Sequence, residues 1–235
     1  MSPASRVLGR WPVNVVGVGD EDDPNLESDP KAGLTAEPGQ ISLRLLRGRA
    51  GVTLGSTLVR RPEVVEGIRQ IPGIGTVRIS PIAGTVGPSG DHWLGFLAVA
   101  RLPEPSAKPL DALTQSLLAF LEQRLEPYGV RLALGKVVGA WCPGFSDISW
   151  GGRKLAGLGL RITKGWGLVR GVVAVSPPEA DELQRLDQCH RAFGPGVDYS
   201  TLTSLADIPG LNGIDPERAT NLLGGVAEAP EKMSR

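Results

Sequence analysis

Apolar positions along the chain mostly fall in short strand-like runs broken by glycine and proline, and switch to helical spacing in only a few places. Residues 41–46 and 52–59 read as strands, with Gly48 and Gly51 as turn material between them. Residues 61–71 predict a short helix with Pro62 in its first turn. Residues 73–90 are rich in glycine and proline and read as a turn feeding a hydrophobic strand over 93–102. Leu110, Leu113, Leu117, Phe120, Leu121 and Leu125 recur at helical spacing, which predicts an amphipathic helix ended by Pro127 and Gly129.

The second half repeats the theme. Residues 130–134, 136–141, 154–161 and 168–175 are strand candidates. Ser176-Pro177-Pro178-Glu179 has capping-box spacing ahead of a helix running to about Arg191. Residues 200–207 and 216–222 read as further helices, and the last dozen residues as a tail. Before residue 40 the chain is irregular apart from one apolar stretch over 11–18. Residues 19–31 are acidic and broken by proline, a solvated loop in which Asp20, Glu21, Asp22 and Asp23 lack the glycine and distal glutamate of a calcium loop. The expected organisation is an N-terminal extension over 1–39, a main domain over 40–210 and a C-terminal helix and tail over 211–235.

Composition narrows the class. The chain has 235 residues, 41% apolar and 21% charged, which suits one sizeable α+β domain with a packed core. Lysine plus arginine and aspartate plus glutamate both number 25, so no global basic field points to nucleic acid. The arginines at 44, 47, 49, 60 and 61 read as a solvated face that could dock an acidic partner. Two cysteines, Cys142 and Cys189, are too few for a disulfide framework, so a reduced, cytoplasmic chain is expected. No apolar run is long enough to cross a membrane as a helix.

Three segments carry candidate chemistry. In the first, Arg78 to Gly90, with Gly84 within it, a glycine-rich turn lets backbone amides approach a ligand. The second runs from Trp141 through Cys142-Pro143-Gly144 to Gly151-Gly152-Arg153-Lys154-Leu155-Ala156-Gly157. A hairpin at Gly151-Gly152 would launch Lys154 at the start of a strand. A lysine so fixed can bind an acyl carbonyl or a phosphate, or act as a base if desolvated, although a lone strand lysine is ordinarily solvated. The third contains Cys189-His190, where the cysteine is as readily a small buried hydrophobe as a nucleophile.

The stretch from Trp141 to Asp207 resembles the catalytic half of the lipoate-protein ligase and lipoyl(octanoyl)transferase superfamily. The matching pieces are the Cys-Pro-Gly stretch, the Gly-Gly-Arg-Lys-Leu-Ala-Gly strand, the strand pair to Val175 and Thr203-Ser204-Leu205-Ala206-Asp207. Residues 78–102 look like a decayed form of the family's Arg-x-Ser-Gly-Gly-Gly-x-Val or Thr-x-His-Gly-Pro-Gly segment. Pro81-Ile82-Ala83-Gly84 replaces the triple glycine, and Val86 stands where the histidine would be.

The resemblance implies an α+β fold of mixed, largely antiparallel sheets flanked by helices, of biotin and lipoate ligase type. It implies an acyl-binding tunnel in which Lys154 contacts the acyl carbonyl. It also implies an acyl-thioester cysteine at Cys142 or, in another branch, at Cys189. Arg78, Gly84, Gly90, Gly152, Arg153 and Gly157 would line the substrate. The implied activity is transfer of an octanoyl or lipoyl group to a lysine of a lipoyl carrier domain or glycine-cleavage-type carrier protein. Acyl carrier protein is a further candidate partner, and neither nucleic acid nor membrane is expected. Lipoate or octanoate would be substrate, with no tightly bound cofactor and no metal. An ATP-dependent lipoate ligase and a non-catalytic carrier-binding relative are the alternatives.

Overall fold

The computed structural model describes residues 10–23, 34–82, 84, 86–102, 109–194 and 196–225. Ten strands form two sheets. Seven make the larger one, in the order β1 (Val13–Asp20), β2 (Ile41–Arg47), β6 (Trp93–Arg101), β10 (Trp166–Ala174), β9 (Arg153–Thr163), β8 (Ile148–Trp150) and β7 (Ala133–Leu134). Only the β1–β2 pair is parallel; every other neighbour in this sheet is antiparallel. The smaller sheet has β3 (Gly51–Gly55) between a parallel β4 (Thr76–Ser80) and an antiparallel β5 (Val86–Ser89).

Both faces of the large sheet are covered, so its central strands β6 and β10 are almost wholly buried and nearly continuously apolar. On one face, α3 (Pro109–Leu125) and α5 (Pro216–Gly224) pack with Leu205, Ile208 and Leu211 against Leu43, Phe96, Val169 and Val173. On the other face sit the small sheet, α2 (Pro62–Arg69) and α4 (Ala180–Arg191), around Leu54, Ile68, Trp93, Val172 and Leu186. The fold is therefore α+β with mixed, mainly antiparallel sheets, as the pattern and the resemblance anticipate. The segment expected as an irregular extension supplies β1, and the C-terminal helix joins the same core. The acidic stretch from 24 to 33 and the tail from 226 lie outside the described residues.

Local differences have physical causes. The strand expected over 52–59 ends at Gly55, and Ser56–Val59 forms the helical turn α1. The glycine- and proline-rich stretch contains two strands, β4 and β5, because Gly75 at φ +74° and Gly90 at φ +130° let the backbone pass close to Ala50. Residues 136–141 are a loop, with Gly139 at φ +85° and Val138 78% exposed. Within 130–134 only Ala133–Leu134 pairs as a strand. Glu179, not Ser176, caps α4, and residues 200–207 form two 3-10 turns. A reciprocal capping box does occur, at Ser204 and Asp207.

Gly171 on β10 faces Phe96 on β6, and a Cβ there would lie 2.1 Å from Phe96 Cζ. The ring covers the glycine, so Gly171→Ala is expected to cost about 1–3 kcal/mol through overpacking. Urea denaturation checks this; an unchanged midpoint would contradict it.

Candidate functional site

Trp150 pairs with Arg153 across a two-residue loop whose members Gly151 and Gly152 both have positive φ, 57° and 78°. That is the glycine-favoured hairpin geometry, and it starts β9 one residue before Lys154. A bulge follows at once: Ser149 faces Lys154 while Ile148 faces Ala156, so Leu155 is the extra residue. Leu155 and Ala156 consequently both turn to the α3-side core. Lys154 is thrown to the opposite face with Gly157, as bulges do when they re-aim a side chain. The backbone of Lys154 is held on its other side, where the Thr203 amide donates to the Lys154 carbonyl at 3.0 Å.

The Lys154 side chain is fully buried. Nζ donates to Asp147 Oδ1 at 2.8 Å, to the Trp141 carbonyl at 2.7 Å and to the Cys142 carbonyl at 3.2 Å. Three donors meet three acceptors, and Nζ also lies 4.3 Å from the centroid of the Trp141 ring. Burial lowers the pKa of Lys154 below its ordinary value, and the Asp147 charge partly opposes that shift. Asp147 itself is 2% exposed. Its other oxygen, Oδ2, accepts from the amides of Val137 and Gly144 at 3.3 and 3.0 Å. One carboxylate thus fixes the lysine and organises the loop that carries Trp141 and Cys142.

Cys142 has φ +42°, one of two non-glycine residues at positive φ among the described residues. Strain of this kind survives only where neighbours over-determine it, which is common at functional sites. The thiol packs towards Gly84, where a Cβ would lie 3.0 Å from Sγ. Lys154, Cys142, Trp141, Gly84 and Gly157 line one pocket between the two sheets, together with Val86, Pro88, Gly159 and Val172. Its far part is polar: Glu21, Thr53 and Arg170. The cavity measures about 50 Å³, against several hundred for a typical ligand pocket.

No family model matches the chain. It is 30% identical over 118 residues to octanoyl-[GcvH]:protein N-octanoyltransferase of Geobacillus kaustophilus, covering 45% of this chain and 42% of that protein. The chain spans less than half the length of the curated relatives it matches. Among solved structures, a lipoate protein ligase-like protein of T. acidophilum with bound lipoic acid aligns at a TM-score of 0.61 with 13% identity, over 92% of this chain and 83% of that one. Lipoate-protein ligase A bound with ATP aligns at 0.56 with 12% identity, over 92% and 83%. The chain has the fold of these lipoate protein ligase structures.

Within that fold, the expected site residues divide. Lys154, Cys142, Gly84 and Gly157 come together in the pocket. Cys189 does not: it is wholly buried among Val52, Trp93 and Leu186, and burial pushes its thiol up to about 12. It is a core filler, and its neighbour His190 is held neutral by burial, at about 4. Gly152 and Arg153 sit exposed at the hairpin, outside the pocket. Arg78 is a buried brace whose guanidinium donates to Asp22 (Nε–Oδ1 2.7 Å), Ser89 Oγ (2.7 Å) and the Arg49 carbonyl (3.0 Å). Gly90 serves the turn beside Ala50. Sequence reasoning did not single out Asp147, Thr53 or Arg170, placed Glu21 in a solvated loop and took Trp141 only as the start of a candidate segment. Asp147 could have been flagged by its place in the Cys-Pro-Gly loop, and Gly159, also in the pocket, by sharing a strand face with Gly157.

Removing one partner of a buried ion pair leaves an uncompensated charge. Asp147→Ala is therefore expected to destabilise the fold by about 3–5 kcal/mol, and the double variant Asp147→Leu with Lys154→Met to recover most of that loss. Urea denaturation of both checks it; a double variant no more stable than Asp147→Ala would show that the charge is not the cause.

Proposed function

We propose that this protein is an acyltransferase that moves an octanoyl or lipoyl group between lysines of small lipoyl-type carrier domains, with Cys142 as the covalent relay. The observation that carries the reading is the placement of Cys142 and Lys154 side by side in one inter-sheet pocket. The curated relatives bear the name of an octanoyltransferase acting on GcvH, which supports both the reaction and a glycine-cleavage-type carrier as donor.

In the first step the Cys142 sulfur attacks the carbonyl carbon of the donor's acyl-lysine amide. A C–S bond forms, the C–N bond breaks, and the thiol proton leaves on the departing amine. In the second, the amine of an acceptor lysine attacks the thioester; the new C–N bond forms, the C–S bond breaks, and the proton lost by the amine returns to the Cys142 sulfur. Both steps pass through a tetrahedral oxyanion, which a fixed ammonium stabilises. All three Lys154 donors are engaged, so the longest bond, 3.2 Å to the Cys142 carbonyl, is the one exchanged for the acyl oxygen.

An ATP-dependent lipoate ligase is the second reading, favoured by the structural neighbour solved with ATP. The transferase is preferred because Cys142 lies beside Lys154 in one pocket and the curated relatives bear the name of an octanoyltransferase.

Incubation with octanoylated carrier domain is expected to give an octanoyl-protein adduct, visible by intact mass and cleaved by hydroxylamine. Cys142→Ser should lose adduct and transfer together, while Cys189→Ser keeps both. Transfer by Cys142→Ser at the wild-type rate, or adenylate-dependent loading of free lipoate, would overturn the relay.

A further inference from the structure

Two tight turns begin on one oxygen atom. Asp147 Oδ2 accepts from the Val137 amide at 3.3 Å and from the Gly144 amide at 3.0 Å. The first turn closes where the Ala140 amide donates to the Val137 carbonyl at 3.3 Å, the second where the Asp147 amide donates to the Gly144 carbonyl at 3.2 Å. Each turn displays an apolar side chain at its second position: Val138, 78% exposed, and Phe145, 87% exposed. Among the described residues these are the two most exposed large hydrophobic side chains. The carboxylate that fixes Lys154 inside the pocket therefore also fixes both of them outside it.

Single exposed apolar side chains are ordinary on a protein surface. These two are held together, and they share their loop with Cys142. Three residues of chain span at most about 11 Å, which bounds the separation of Cys142 and Phe145. An acyl group on a carrier's lysine reaches Cys142 only when the carrier's surface lies within a lysine side chain of it, so a docked carrier covers this loop. Charge points the same way. Between residues 129 and 164 the one acidic residue is Asp147, which is buried, whereas Arg131, Lys136, Arg153, Arg161 and Lys164 are exposed. Asp198, from a later segment, lies beside Gly139 and caps the 3-10 turn at Tyr199. A chain with no net charge thus keeps a cationic edge where the site lies.

We propose that Phe145 and Val138 form the apolar anchor, and Lys136 part of the cationic rim, of a surface that docks an acidic carrier domain and brings its acylated lysine to Cys142. A side chain held on a rigid turn makes an efficient anchor, because little freedom is lost on docking. The rim steers an oppositely charged partner and sets its register. Docking is thereby placed on the loop of Cys142, not on the arginines between 44 and 61 to which the sequence pointed.

This docking rests on the carrier reading above, and a binding measurement separates the two. The full chain is titrated calorimetrically with octanoyl-GcvH, and acyl transfer is followed in parallel. Phe145→Ser is expected to weaken binding at least about tenfold and to raise KM with kcat little changed. Lys136→Glu should weaken binding severalfold and flatten its loss with added salt. Arg60→Glu with Arg61→Glu should do neither. Alkylation of Cys142 by iodoacetamide at the wild-type rate shows that the loop of Phe145→Ser is intact; if that rate changes, Val138→Ser and Lys136→Glu carry the test. Unchanged affinity in Phe145→Ser and Lys136→Glu, or a loss confined to the Arg60 and Arg61 variant, overturns the docking surface and leaves the transferase standing. Binding that depends on Phe145 without acyl transfer overturns the transferase and leaves the surface. Binding to phosphatidylglycerol vesicles and not to octanoyl-GcvH makes the loop a membrane face and overturns the proposal.

Discussion

The ion pair between Lys154 and Asp147 is the constraint on which the rest of the site depends. Neither side chain meets solvent, and an ammonium taken out of water must recover its lost hydration from fixed partners. Asp147 supplies the charge, and the carbonyls of Trp141 and Cys142 supply the remaining acceptors. Because Asp147 also ties down the amides of Val137 and Gly144, the lysine cannot be neutralised without shaping the loop that bears Cys142. Placement of the thiol is a consequence of solvating the lysine.

Backbone geometry makes this arrangement possible. The hairpin at Gly151-Gly152 sets where β9 begins, and the bulge at Leu155 decides which face Lys154 takes. Without the bulge, strict alternation would point Lys154 at the apolar α3 side with Ala156 and Leu158. That face is built on an apolar core that includes Leu113, Phe120 and Leu125. One extra residue separates a functional pocket from a buried unpaired cation.

Much of this was legible in the sequence. Short apolar runs located β2, β6, β9 and β10, since strands covered on both faces read as nearly continuous apolar stretches. Leucine spacing located α3, and adjacent glycines located the hairpin. The side of the sheet was not legible, because a bulge is invisible in a pattern that assumes even alternation. Nor were β4 and β5, whose glycines and prolines disguise short strands that pair because Gly75 and Gly90 permit close approach. Glu21 was read as part of a solvated acidic loop, yet it lies against Arg170, 149 residues away in sequence. Local composition carries no trace of such a partner. The resemblance ranks Cys142 ahead of Cys189, and burial separates them physically.

The account makes Lys154 a buried cation whose affinity for its proton is lowered by desolvation and sustained by Asp147. Residue-resolved NMR titration of the Lys154 ε-ammonium in isotope-labelled protein tests this most directly. The expected midpoint lies below the ordinary lysine value of 10.5 and falls further when Asp147 is replaced by asparagine. A midpoint at or above 10.5, or one indifferent to the Asp147 substitution, would contradict it.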